Sequence, residues 1–276
     1  MEFVDWLAKN GNSKNTIKSY DLHIRGYKKW FSENYGKELS VLYRNDIQEY
    51  IKYLKDIKNL KPRSINAKIS ALDTYNKYLI EEDKQRDRVI FRTDLIKVEK
   101  DKINSSVHKE DVDNFRQMVL NNSGERNFAI VTLIAYSGIK ISEALDIRIS
   151  NVHLAEKEII IIYENSTRVI VVNNIIIDAL NKYMEIRSSE KFKDSDFLFI
   201  SNKSSRVNRT IINKLFNKYS KDITPNLLRG FFIKNALEKG WSTNEVAAQI
   251  GDSSVLSSPI YTLPSMEDMK NKAELL

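Results

Sequence analysis

The sequence predicts a mainly α protein with one small β-sheet, an α+β fold in two domains. Three observations point there. Apolar residues recur at helical spacing along most of the chain. Glycine and proline are scarce, eight and four in 276 residues, so much of the chain is expected to be helical. Only one pair of neighbouring β-branched runs, Glu158–Tyr163 and Arg168–Val172, breaks the helical pattern.

The elements follow in order. Asn12 and Ser13 are N-cap candidates before a helix with Ile17, Tyr20, Ile24, Tyr27, Trp30 and Phe31 on one face. Asp46 and Ile47 open a second helix, with Tyr50, Ile51 and Leu54. Lys61-Pro62 starts a third, because proline suits the first helical turn, and Ile65, Ile69, Leu72, Tyr75 and Leu79 recur at helical spacing. The stretch from Glu81 to Arg88 is charged and lacks periodicity. A helical domain over 1–84, a linker over 85–106 and a second domain over 107–276 are therefore expected. In the second domain Lys109–Leu120, Arg126–Tyr136 and Ser142–Ile147 read as helices. The two β-branched runs, separated by Glu164-Asn165-Ser166-Thr167, read as a hairpin. Helices return at 174–187, 209–219, 225–239 and 243–250.

Composition removes several function classes. The apolar runs, such as Ile159–Tyr163, fall far short of the ~18 residues that span a bilayer. The acidic start, Met1 to Asp5, lacks the basic and apolar regions of a signal peptide, so a cytoplasmic location and no membrane contact are expected. There is no cysteine, and His23, His108 and His153 have no metal-ligand spacing. Neither common glycine-rich phosphate loop is present. No metal and no cofactor are expected.

The net charge of +7 favours an acidic partner, nucleic acid first. Residues 1–100 carry 21 Lys and Arg against 15 Asp and Glu, while residues 101–276 carry 23 against 22. The first domain is expected to supply much of the electrostatic grip, and the second something more specific.

Three segments of the second domain can carry chemistry. Tyr136-Ser137-Gly138-Ile139-Lys140-Ile141-Ser142-Glu143 ends one helix, turns at Gly138 and starts another at Ser142, with Lys140 on the turn. In Thr224-Pro225-Asn226-Leu227-Leu228-Arg229-Gly230, Thr224 caps a helix on which Asn226 and Arg229 lie three apart on one face. Ile250-Gly251-Asp252-Ser253-Ser254 is a helix end and polar loop, followed by Tyr261.

In this order the segments resemble the tyrosine recombinases, the family of phage integrases and Xer-type enzymes. The family reads T-G-x-R-x-S-E where this chain has Ser137–Glu143, and T-P-H-x-L-R-H where it has Thr224–Gly230. It reads L-G-H-S-S before a nucleophilic tyrosine where this chain has Ile250–Ser254 and Tyr261. Thr16, Tyr20, Trp30 and the Ser64–Leu79 stretch also resemble the family's helical core-binding domain. The resemblance covers nearly the whole chain. It implies a site-specific recombinase acting on double-stranded DNA. Its tyrosine attacks a phosphodiester and forms a 3′-phosphotyrosine link, while cations hold the phosphate oxygens. Tyr261, Arg229, Lys140, Asn226 and Asp252 would form the catalytic set.

The match is incomplete. Lys140 stands where the family has arginine, keeping the charge without the planar fork. Asn226 replaces a histidine, and donates a hydrogen bond but no proton. The hairpin lysine aligns with Tyr163, and no lysine occurs between Lys157 and Lys182. Asp252 replaces histidine or tryptophan. Losing a general acid typically costs ~10²–10⁴ in rate. Three readings therefore stay open: a recombinase, slow or dependent on a partner recombinase; a DNA-holding protein of the same fold with impaired catalysis; and a helical interaction protein. In the first two, Lys61, Arg63, Asn66 and Lys68 on the third helix are expected to meet a DNA groove. Arg168 matches a common hairpin arginine, and Lys203, Arg206 and Arg209 are plausible phosphate contacts. The tail Pro264–Leu276, with Met266, Met269, Ala273, Leu275 and Leu276, is expected to pack on a neighbouring protomer. A monomer in solution and a dimer or tetramer on DNA follow from that.

Overall fold

At Ser13 the backbone changes from extended to helical, and its hydroxyl accepts the Thr16 amide at 3.2 Å. That cap opens a 22-residue helix of the first domain in the computed structural model, which describes residues 1–98, 107–163, 166–251 and 266–276. The chain divides into two units, Met1–Ile103 and Asn104–Leu276. Each has its own hydrophobic core.

The first unit is built from α1 (Phe3–Lys9), α2 (Lys14–Tyr35), α3 (Arg44–Lys52) and α4 (Pro62–Glu81). A π turn, Tyr53–Ile57, extends α3. The aromatic stripe of α2 is core, as helical spacing requires: Tyr27 is fully buried, and its ring meets Tyr50 of α3 edge-on at 4.9 Å. No helix is expected before Asn12. Seven residues are too few for periodicity to register, yet α1 buries Phe3, Trp6 and Leu7. Its Phe3 ring packs edge-on to Tyr75 at 5.0 Å, and the Trp6 indole donates to Glu81 at 2.9 Å.

The stretch 85–98, expected to belong to the linker, packs on this unit instead. Ile90 is buried. Arg44 grips Asp94 with two nitrogens, at 2.5 and 2.6 Å, and also donates to the Val89 carbonyl. Burial pushes the Asp94 carboxyl up, but hydrogen bonds from Arg44, the Phe91 amide and Gln48 outweigh it and hold the group below the usual carboxylate range. A charged sequence without periodicity can therefore be ordered, where its charges find partners far away in the chain.

The second unit centres on α5 (Lys109–Ser137), which joins the two expected helices across a break at Gly124, φ 76°. From Ala129 to Ser137 every residue of α5 is buried. α6 (Ile141–Asp146) follows, then a three-stranded antiparallel sheet in the order β1 (Val152–His153), β2 (Glu158–Tyr163), β3 (Ser166–Val171). Ser166 and Thr167, expected in the turn, pair instead with Tyr163 and Ile162. Helices α7 (Asn174–Arg187), α8 (Arg209–Tyr219), α9 (Pro225–Glu238) and α10 (Thr243–Ile250) each begin after a side chain that accepts a first-turn amide: Asn173, Asn208, Thr224 and Ser242. Among the described residues, no helix is long and apolar enough to cross a membrane.

The last helix, α11 (Met266–Ala273), packs within its own unit. The tail was expected to offer its apolar residues to a neighbouring protomer. Met269, Ala273 and Leu276 are instead buried in the core of their own unit, Met266 packs against it, and Leu275 alone of the five is exposed. Polar contacts fasten the segment: Lys270 to Glu158 at 2.6 Å, Lys272 to Glu245 at 2.8 Å and Glu274 to Lys157 at 2.6 Å. Pro264 lies outside the described residues.

Candidate active site

α5 ends at Gly138 in the left-handed conformation, φ 67°. A Cβ there would collide with the Phe232 ring of α9 and lie 3.1 Å from Ile250 of α10. The turn is thus pressed against two other helices. It carries Lys140, whose amide donates to the Glu143 carboxylate at 2.9 Å while its side chain stays exposed. That contact is why α6 starts at Ile141, one residue before the expected Ser142.

Arg229 reaches the same turn from α9. Its Nη1 donates to the Gly138 carbonyl at 2.7 Å and to the Ile250 carbonyl at 3.0 Å. The guanidinium therefore sits between the ends of α5 and α10, half-buried, two residues of backbone from Lys140. Asn226 lies one turn earlier on α9, exposed, just after the Thr224 cap and Pro225. The structure brings the Lys140 turn and Arg229 together. Asp252 and Tyr261 lie outside the described residues; Asp252 follows Gly251 directly in the chain.

Arg168 forms a second tie. It stands on β3 opposite Ile161. Its Nη2 and Nη1 donate to Glu143 at 2.8 and 3.2 Å, and its Nε donates to the Gln249 carbonyl at 3.1 Å. The side chain is 13% exposed and that of Glu143 3%. Gly251 leaves room for it, since a Cβ there would lie 2.6 Å from Nη1. Gln249, fully buried, pairs with both main-chain groups of Val171 at 2.9 and 3.0 Å. Sequence alone assigns no role to Glu143, Gln249 and Gly251. The available signal was Glu143 at the third position of a helix, where a carboxylate caps the chain.

The expected nucleic-acid contacts separate by environment. Lys61 and Arg63 are exposed where α4 begins. Lys68 is half-buried, and burial pulls its ammonium below the ordinary lysine value. Burial and then Lys68 pull the His23 imidazole down in the same way. Asn66 is committed elsewhere: its amide donates to the Ile96 carbonyl at 2.8 Å and accepts the Ile96 amide at 2.9 Å. Lys203 and Arg209 are exposed. Arg206 pairs with Asp146 at 2.8 Å, donates to the Leu145 carbonyl and lies over the Phe197 ring, as does Arg148.

An exposed ammonium and a guanidinium fixed on adjoining backbone form a place where an anion with several oxygens can be held. Residues 105–268 match the model of the phage integrase family, and residues 1–83 that of the phage integrase N-terminal SAM-like domain. The chain is 41% identical to the TnP I resolvase of Bacillus thuringiensis over 279 residues, covering 100% of this chain and 98% of the relative. It is 27% identical to tyrosine recombinase XerD of Rickettsia bellii (strain RML369-C), covering 95% and 94%. Its fold is similar to that of the Tn1549 transposon integrase in complex with transposon right end DNA, with a TM-score of 0.71, 17% identity and coverage of 98% and 96%. It is also similar to XerH bound to a difH substrate, with a TM-score of 0.67, 17% identity and coverage of 93% and 78%. By family model and by identity across its whole length, the chain belongs to the phage integrase family, the tyrosine recombinases.

Proposed function

We propose that this protein cuts and rejoins specific sites in double-stranded DNA, using Tyr261 as the nucleophile and the Lys140–Arg229 pair as the phosphate clamp. The observation that carries the reading is the Arg229 contact to the Gly138 carbonyl at 2.7 Å, on the turn that bears Lys140. A guanidinium from α9 is thereby tied to the stretch of backbone that carries Lys140. The DNA named with the structurally similar transposon integrase supports a DNA substrate.

In the proposed reaction the Tyr261 oxygen attacks phosphorus and loses its proton. The P–O bond to the 5′ oxygen breaks, and that oxygen gains a proton. The energy of the phosphodiester is kept in the phosphotyrosine link, so the attack of a 5′ hydroxyl reverses the step without nucleotide or metal. Lys140 and Arg229 offset the charge that grows on the non-bridging oxygens, a contribution worth ~10²–10³ in rate per donor in comparable sites. Asn226 adds a hydrogen bond but shuttles no proton, which makes a slow reaction the expected one. Exposed Lys61, Arg63, Lys203 and Arg209 are proposed to grip flanking phosphates. Exchange between two sites needs more than one copy, so assembly as a dimer or tetramer on DNA, with or without a partner recombinase, belongs to the proposal.

The test is a covalent trap. Nicked duplex fragments from the protein's own replicon are mixed with it, denatured, and the attached DNA is sequenced. An adduct that disappears in Tyr261→Phe supports the reading. Binding that salt releases, with no adduct, assigns the fold a holding role instead.

A further inference from the structure

Arg168 is committed on all three of its nitrogens. Its Nε, Nη1 and Nη2 all donate, to two separate backbone pieces: Glu143 at the start of α6 and the Gln249 carbonyl at the end of α10. Arg229 spans the same two pieces through Gly138 and Ile250. The two arginines are thus parallel rungs between the Lys140 turn and the α10 terminus. Both are half-buried, and the Arg168 side chain is 13% exposed. Nothing in the local sequence joins these pieces. Residues 168 and 143 are 25 apart, and 168 and 249 are 81 apart.

We infer that Arg168 is a positioning residue that sets the spacing between the Lys140 turn and α10, so that Lys140 and Arg229 converge on one phosphate. This rests on the function proposed above. A surface contact with DNA, the role its sequence position suggests, fits the geometry less well, because the guanidinium is only 13% exposed and each of its three nitrogens already donates to protein. The fork is also what the position requires. A lysine would keep the charge beside Glu143 but could not hold the carboxylate and the Gln249 carbonyl in one plane. Gly251 belongs to the same device. Its left-handed φ of 69° and missing Cβ admit the guanidinium, and alanine there would press on Nη1 and Cζ from 2.6 and 2.7 Å.

The experiment measures adduct formation on nicked DNA at saturating DNA, together with Kd and thermal unfolding. The chains compared are wild type, Arg168→Lys, Gly251→Ala and the double variant, with Tyr261→Phe as the blank. The expected result is adduct formation slowed about 10²-fold in each single variant, the size of effect a misplacement near 1 Å produces. Kd should be unchanged, the proteins folded at the assay temperature, and the double variant little slower than either single. Wild-type rates in both single variants overturn the inference while leaving the proposed function standing. Losses that follow Kd or the unfolded fraction also overturn it, since they mark ordinary structural or DNA-contact roles. No adduct from wild type overturns the proposed function and this inference with it.

Discussion

The Glu245 carboxylate receives the Lys272 ammonium at 2.8 and 3.0 Å, and this pair ties α10 to α11. Burial pushes the Glu245 carboxyl up, but the hydrogen bonds from Lys272 and Ser242 outweigh it and hold it below the usual carboxylate range. The folded group therefore releases its proton more readily than the unfolded one. Its contribution to stability is fully present above the unfolded value, about 4.3, and is lost as pH falls through the lower folded value. Urea unfolding of wild type and Glu245→Gln should show a constant stability gap from pH 7 to about 5, closing below about pH 4. A gap that stays constant down to pH 3 would remove the carboxylate from this role.

The Arg168–Glu143 pair predicts a stability cost distinct from any effect on rate. Truncating one member of a buried ion pair leaves the other charged and unpaired, a loss of about 3–5 kcal/mol. Glu143→Ala should lower the urea midpoint accordingly, and lose the Lys140 amide cap with it. A loss below about 1 kcal/mol, the range of an exposed pair, would contradict the burial described.

Gly138 should tolerate no side chain. Alanine there meets a positive φ and the Phe232 ring together. Gly138→Ala is expected to destabilise by more than about 1 kcal/mol. Gly230 is the control, because its Cβ would meet nothing within 4 Å and it sits in a helix. Gly230→Ala should be neutral or stabilising by up to about 1 kcal/mol. Thermal unfolding of both reads the contrast.

Lys140 gives the sharpest kinetic prediction. Lys140→Ala should slow adduct formation by about 10²–10³ with Tm unchanged, because only an exposed ammonium is removed. Lys140→Arg should keep or raise the rate, since a planar fork suits a phosphate. Equal rates in all three proteins would place the phosphate elsewhere.

On α4, neighbouring polar residues should behave differently. Lys61→Ala should reduce the slope of log affinity against log salt by about 1 and leave stability unchanged. Asn66→Ala should do the reverse. It removes both bonds to the Ile96 main chain, a loss of about 1–3 kcal/mol, with no change in salt slope. A salt-slope change in Asn66→Ala would return that residue to the DNA surface.

Sequence alone determined what depends on near neighbours. The caps at Ser13, Thr224 and Ser242 act within three residues. Pro62 and Pro225 open their helices, and glycines close α5 and α10. Helical spacing placed the aromatic stripe of α2 in its core. The ordered motifs identified the family, because each is short and carries its own turn chemistry. Tertiary structure decided the rest. Arg168, Asn66 and the 85–98 stretch look exposed in sequence because they are polar or charged. Each is committed to a partner 25 or more residues away. The tail offers the same lesson from the apolar side: Met269, Ala273 and Leu276 reveal a sticky face, but only the folded core shows that the face is covered within its own unit. A side chain's chemistry limits its partners, but only the path of the folded backbone selects among them.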